Sequence, residues 1–251
     1  MNSQIQSIIL ILFTLSASTV GAQSEADFNI SNWSDIPRRL LVGSKYSVQD
    51  PVNRQIILGS IVLTLASWQW DQSISDRVCA EQPLPDLLNR FGDRYGSLSG
   101  YGLLGILGAE ILFDYRSETH DFRRIEYAGL VLLSTSAVTG LLKTVVSRQR
   151  PNGKNYRSFP SGHSSHSFTV PSLINELYGS GPATVAYGCA ALTALRRIQD
   201  GDHYLSDVII GAGVGIVIAQ GMALTYSGNE LAGKRLYLWA GYDRVGLSLK
   251  L

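Results

Sequence analysis

Two histidines, an aspartate and three basic residues are spaced as a phosphoryl-transfer site would need them. Lys143 and Arg150 stand seven positions apart ahead of Pro151. Pro160-Ser161-Gly162-His163 follows a short polar stretch, and Arg197 precedes His203 by six positions and Asp207 by ten. Fixed cations and helix-start N–H groups can take up the charge on a phosphoryl group's non-bridging oxygens. One histidine can attack or shuttle a proton while a carboxylate fixes its tautomer.

The elements that carry these residues must bring them together. Residues 127–146 form a long apolar run with Lys143 in its last turn, where a cation complements the negative end of the helix dipole. Arg150 comes just beyond that end, and Pro151 with Asn152-Gly153 opens a polar loop through Phe159. Pro160 marks the next helix start, so Ser161, Gly162 and His163 fall in a first turn whose N–H groups lack intrahelical partners, a ready anion site. Residues 182–198 read as a helix ending with Arg196 and Arg197. Gly201-Asp202 then turns the chain into an apolar helix at 208–226 with small residues spaced for close packing. His203 and Asp207 are four apart, on one face of its first turn. If these four helices alternate in direction, every motif lies at the same end of an antiparallel, all-α bundle of about six core helices.

These residues resemble the phosphatidic acid phosphatase type 2 and haloperoxidase superfamily, whose pattern is K-x6-R-P, P-S-G-H and S-R-x5-H-x3-D. The likeness covers 143–207, with packing helices extending it to about 98–226, and ten specified positions agree. One departs: Arg196 stands where the family has serine. The resemblance implies that His203 is the nucleophile, forming a phosphohistidine, that Asp207 holds its other ring nitrogen, and that His163 serves as general acid and then base. It also implies that Lys143, Arg150, Ser161, Gly162 and Arg197 bind the phosphate. No metal and no cofactor enters this scheme, and the sequence carries no H-E-x-x-H.

Taken singly, each residue has a plainer reading. A lone histidine at an apolar helix start is more often a satisfied polar group than a nucleophile. Arg148, Lys154, Arg157 and Arg196 read as dipole complements or solvated charge. His166 could share a groove with His163, but no third metal ligand with suitable spacing accompanies the pair. His120 falls in a charged stretch, 116–124, that reads as a loop.

The 251-residue chain, 45% hydrophobic with net charge +1, suffices for one domain and gives no reason to expect nucleic acid as a partner. Residues 1–22 resemble a secretory signal peptide without the usual opening Lys or Arg, or else an uncleaved anchor. A polar N-terminal extension at 23–53, holding a short surface helix at 35–41, leads to the phosphatase bundle at 54–228. The tail, 229–251, suits a short strand or hairpin. Cys79 lies in a polar linker, and Cys189 reads as a buried free thiol.

Apolar stretches occur at 56–70, 98–115, 127–146, 182–195 and 208–226, only two of them near the roughly 20 residues a bilayer crossing needs. Mean hydropathy is a modest +0.09. The runs nevertheless lack the clean polar stripe of a soluble bundle, and the sequence leans towards membrane association. If the N-terminus is exported and every stretch spans, the site falls in the cytoplasm, so a periplasm-facing site requires a stretch that does not cross, with 56–70 the best candidate. The expectation is a metal-independent phosphatase in the cell envelope, in the inner membrane with a periplasm-facing site or soluble in the periplasm. Its substrate would be phosphatidic acid, phosphatidylglycerophosphate, an isoprenoid diphosphate or a small phosphate ester. The alternatives are a soluble periplasmic acid phosphatase, a vanadate-dependent haloperoxidase and a non-enzymatic phospholipid-binding protein.

Overall fold

The computed structural model describes residues 35–113, 118–226, 235–240 and 245–250; the expected export segment at 1–22 lies outside them. Helix starts follow local chemistry. Helix α1 (Ile36–Gln49) has proline in its first turn. Helix α2 (Pro51–Trp68) is capped by the Asp50 carboxylate, which accepts from the N–H groups of Val52 at 2.9 Å and Asn53 at 3.0 Å. A polar helix, α3 (Asp71–Glu81), comes next and ends at Gln82 in the left-handed region. The long helices α4 (Asp86–Phe113) and α5 (Glu118–Val146) precede α6 (Gly162–Tyr178), α7 (Ser180–Gln199) and α8 (Leu205–Ala223). Strands β1 (Arg235–Ala240) and β2 (Val245–Lys250) pair antiparallel, the expected hairpin.

The long helices alternate in direction as the sequence requires. Along α2 and α8, Asn53 Nδ2 donates to the Val217 carbonyl (3.5 Å) and Thr64 Oγ1 to that of Ser206 (3.4 Å), so the two run antiparallel. The Thr193 hydroxyl donates to the Gly92 carbonyl (2.8 Å) and the Tyr95 hydroxyl to that of Ala186 (3.2 Å), which sets α4 against α7. Helix α6 sits at the centre, with Val170, Leu173 and Leu177 packed among Leu103, Leu107, Tyr127, Val131, Val217 and Met222. Its approach to α8 depends on two glycines. A Cβ on Gly215 would lie 2.3 Å from the Ser165 carbonyl oxygen, and one on Gly211 2.7 Å from that of Ser161. This contact fixes the start of α6 against the start of α8.

Several sequence expectations change. The surface helix expected at 35–41 extends to Gln49 and packs on α8, where the space over Gly221 is closed by Ser47. The charged stretch at 116–124 is helical from Glu118 onward, so His120 lies in α5. The 56–70 run does not lie across the bundle but accompanies α8 along its length. The buried residues of α2 are polar, Asn53, Ser60, Thr64 and Ser67, while Leu58, Val62, Leu63 and Leu65 face outward. Both cysteines are free and half-buried, so Cys189 is more exposed than expected.

Candidate active site

The ends of α5 and α7 and the starts of α6 and α8 meet at one end of the bundle. Lys143, in the last turn of α5, reaches across the following loop and donates to the carbonyls of Arg157 (2.8 Å) and Pro160 (2.6 Å). Two of its three ammonium donors thereby anchor the loop. Main-chain bonds close the same region: Asn152 N–H donates to the Gly201 carbonyl (3.0 Å) and Ser161 N–H to that of Asp207 (2.9 Å). The second motif is thus tied to the third through the backbone.

Arg150 and Arg197 share one carboxylate. Arg150 Nη1 meets Asp202 Oδ1 at 2.9 Å, and Arg197 Nη2 meets Asp202 Oδ2 at 2.5 Å. Burial would raise the Asp202 carboxyl, but Arg197, Arg150 and a hydrogen bond from Asn152 outweigh it and hold the group below the usual carboxylate range. Arg197 is buried, and its Nε has no hydrogen-bond partner among the described residues. Its carbonyl accepts the N–H of His203 at 3.1 Å, so the arginine's own main chain places the histidine.

His203 is almost wholly buried and precedes α8 rather than lying within its first turn. Its Nδ1 is 3.7 Å from Asp207 Oδ2, longer than a hydrogen bond, and has no other partner among the described residues. Burial pushes the imidazole pKa below its ordinary value, with Asp207 pulling the other way. With Nδ1 on the Asp207 side, Nε2 is the nitrogen available to attack.

Ser161 is the N-cap of α6, and its Oγ accepts from Ser164 N–H (3.4 Å) and the Ser164 hydroxyl (2.9 Å). Gly162 follows, with Lys143 Cε 3.6 Å from where a Cβ would stand. His163 is half-buried, and its Nε2 lies 3.3 Å from Ser97 Oγ. His166 lies instead 3.2 Å from Ser136 Oγ on α5. All eight residues expected at the site therefore lie at this end of the bundle.

Sequence reasoning missed four contributors. Arg148, read as solvated charge, is turned inward: its Nη1 donates to Asp207 Oδ1 and its Nη2 to Asp71 Oδ2, both at 2.8 Å. Asp71 comes from the polar helix α3, which carries no motif. Ser158 donates its hydroxyl to Asp207 Oδ2 in a short hydrogen bond. Asp202 lies inside a quoted motif, but only as a turn residue; its place between two motif arginines was the available signal. Lys154 and Arg157 are exposed, as expected. Arg196 pairs with Asp93 and Asp200, each at 2.8 Å.

This arrangement coincides with a match of residues 126–230 to the PAP2 superfamily. Over those residues the chain is similar to the PAP2 superfamily. Among curated relatives it is 30% identical to lipid A 1-phosphatase of Porphyromonas gingivalis over 114 residues, 43% of this chain and 25% of that protein. It is 28% identical to lipid A 1-phosphatase of Rhizobium etli over 64% of this chain and 78% of the relative. Lipid A 4'-phosphatase of Helicobacter pylori is 32% identical over 41% and 48%. The chain thus spans a quarter of the Porphyromonas protein and about half of the Helicobacter one. In fold, this chain is similar to LpxE of Aquifex aeolicus, with a TM-score of 0.50 and 23% identity over 62% of this chain and 95% of that one. It is likewise similar to a transmembrane PAP2-type phosphatidylglycerolphosphate phosphatase of Bacillus subtilis, with a TM-score of 0.53 and 22% identity over 67% and 92%.

Proposed function

We propose that this protein is a metal-independent phosphatase of the PAP2 type that removes phosphate from a lipid carrier through a phosphohistidine on His203. The observation that carries the reading is the convergence of His203, His163 and the Lys143, Arg150 and Arg197 cations on one bundle end. Simple binding would need only the cations. In the first step His203 Nε2 bonds to phosphorus as the bond to the lipid oxygen breaks, and His163 gives that oxygen its proton. In the second, His163 takes a proton from water, water oxygen bonds to phosphorus, and the phosphorus–nitrogen bond breaks. Asp207 keeps the Nδ1 proton in place throughout. The arginine forks and Lys143, with the Gly162 N–H and the Ser161 hydroxyl, meet the charge on the equatorial oxygens.

A lipid substrate and a membrane setting find support in the inverted pattern of α2, polar inward and apolar outward. The helices at Phe122–Val146 and Leu205–Ala223 are long and apolar enough to cross a bilayer. Leu98, Tyr101 and Ile106 on α4 and Leu133, Leu141 and Val145 on α5 are also exposed. The catalytic unit runs from α1 through α8, taking in the helix of the expected 23–53 extension. The site faces the periplasm, with the start of α1 at the opposite, cytoplasmic end.

Lipid A carrying a terminal phosphate is the first substrate to try, followed by phosphatidic acid, phosphatidylglycerophosphate and an isoprenoid diphosphate. Phosphate release by the detergent-purified protein in the presence of chelator, with a water-soluble ester for comparison and His203→Ala as control, tests the reading. Preference for a lipid that vanishes in the variant supports it; preference for the soluble ester, or no release, rejects it. For orientation, Lys154→Cys in a background lacking Cys79 and Cys189 should react with an impermeant maleimide from the periplasm. Reaction only after the inner membrane is opened would reverse the placement.

A further inference from the structure

We infer that Arg148 is a positioning residue of this enzyme, the link through which Asp71 on α3 and Asp207 on α8 together aim His203. The inference rests on the reading of His203 as nucleophile. The guanidinium of Arg148 is stacked between two aromatic rings, 3.8 Å from the Trp68 centroid and 4.0 Å from that of Tyr204. Held in this slot, its fork meets three partners. Nη1 donates to Asp207 Oδ1 (2.8 Å) and Ser206 Oγ (2.7 Å), and Nη2 to Asp71 Oδ2 (2.8 Å). Asp71 itself accepts the Ser206 N–H at 3.0 Å and a short hydrogen bond from the Ser206 hydroxyl.

The two oxygens of Asp207 therefore have different tasks. Oδ1 is taken by Arg148. Oδ2 accepts from Ser158 Oγ and from Tyr204 N–H (2.9 Å), and it is the oxygen 3.7 Å from His203 Nδ1. A carboxylate fixed at Oδ1 cannot rotate to exchange the two, so Oδ2 stays on the imidazole. A lysine could not reproduce this, because an ammonium is a point charge without the planar fork that bridges two carboxylates. The cradle arginines use a different carboxylate, Asp202. Arg148 is thus assigned to the nucleophile rather than to the phosphate.

The test uses the full-length protein in detergent micelles with phosphatidic acid as probe. Arg148→Ala, Arg148→Lys and Asp71→Asn are compared with wild type for kcat and KM across pH, and for thermal midpoint. Loss of the fork should lower kcat by roughly 100-fold, the cost of misplacing a reacting group by about an ångström, with KM little changed. With the guanidinium gone, the full charge of Asp207 acts on His203, so the acid limb of kcat/KM should move to higher pH. His203 also faces Lys143, Arg197, His163 and Asp202, none of which is altered. Added guanidinium ion should restore part of kcat in Arg148→Ala and leave wild type unaffected. A folded Arg148→Ala protein with wild-type kcat and acid limb would overturn the inference, as would a loss confined to KM. Should that variant not fold, Arg148→Lys and Asp71→Asn decide: reduced kcat at an unchanged midpoint supports the role, and wild-type kcat in both rejects it. Wild-type protein that releases no phosphate sinks the phosphatase reading as a whole, whereas an active wild type with unaltered variants sinks only this inference.

Discussion

Both ends of the bundle bury arginines beside carboxylates and aromatic rings, yet the two ends are built to different purposes. At the end away from the site, Arg39 lies 3.6 Å from Glu126 and sits over the Tyr226 ring, while Arg124 meets Glu110 at 2.5 Å and Tyr178 donates to the same carboxylate at 3.1 Å. Each cation there has a glutamate and a tyrosine, a closed set that holds helices together. At the end that holds the candidate site, Arg148 is closed in the same way between Asp71 and Asp207, but Arg150 and Arg197 share the single carboxylate of Asp202, and Lys143 is held by the carbonyls of Arg157 and Pro160. Positive charge in excess of its protein partners is what an anionic substrate requires.

Substitutions at the two ends should separate turnover from stability. His203→Ala should reduce phosphate release to the uncatalysed background while the thermal midpoint holds; residual phosphohistidine-dependent turnover would remove His203 from the nucleophile's place. Asp207→Asn should cost on the order of 10³ to 10⁴ in kcat, because the amide permits the wrong histidine tautomer, and an active variant would detach Asp207 from the mechanism. At the opposite end, Arg39→Ala removes a buried cation from beside Glu126 and the Tyr226 ring and should destabilise by about 1–3 kcal/mol, seen as a lower thermal midpoint with kcat of the folded fraction intact. A fall in kcat at constant midpoint would erase the distinction between the ends.

Smaller effects sharpen the same contrast. Gly213→Ala drives a methyl to within 2.3 Å of Ser60 Oγ, whereas Gly59→Ala meets nothing within 4 Å. The first should cost about 1–3 kcal/mol in the thermal midpoint and the second almost nothing. Arg196→Ser installs the serine of the pattern the chain resembles and removes two ion pairs, one to a half-exposed carboxylate. It should change kcat/KM by less than about tenfold. The pH profile supplies a further check: burial lowers the His203 imidazole, so the acid limb of kcat/KM should fall below the ordinary histidine value of about 6.5. A limb above that value would point to a different controlling group.

The three motifs and the alternating long helices were legible because each rests on local signals: a cation in a last turn, a proline at a helix start, a run of apolar residues. What remained hidden depends on tertiary contact. Arg148 is indistinguishable in sequence from other charges after a helix end, and only the Trp68 and Tyr204 rings and two distant carboxylates draw it inward. Asp71 belongs to a short polar helix with no apolar period to reveal it. The inward serines and threonines of α2 sit inside an apolar run and vanish into it, so the direction of that helix face was unreadable. Asp202 shows the middle case, visible as a turn residue but not as the carboxylate between two arginines.

The main-chain stitches at the site, Asn152 to Gly201 and Ser161 to Asp207, bear on how an enzyme of the proposed kind could diversify. Hydrogen bonds between peptide groups survive nearly any side-chain replacement at the positions that make them. Side chains beside these stitches are therefore open to mutational drift while the backbone segments that carry the three motifs stay joined. New headgroups can be accommodated by changing the walls, and the reaction itself need not be reinvented.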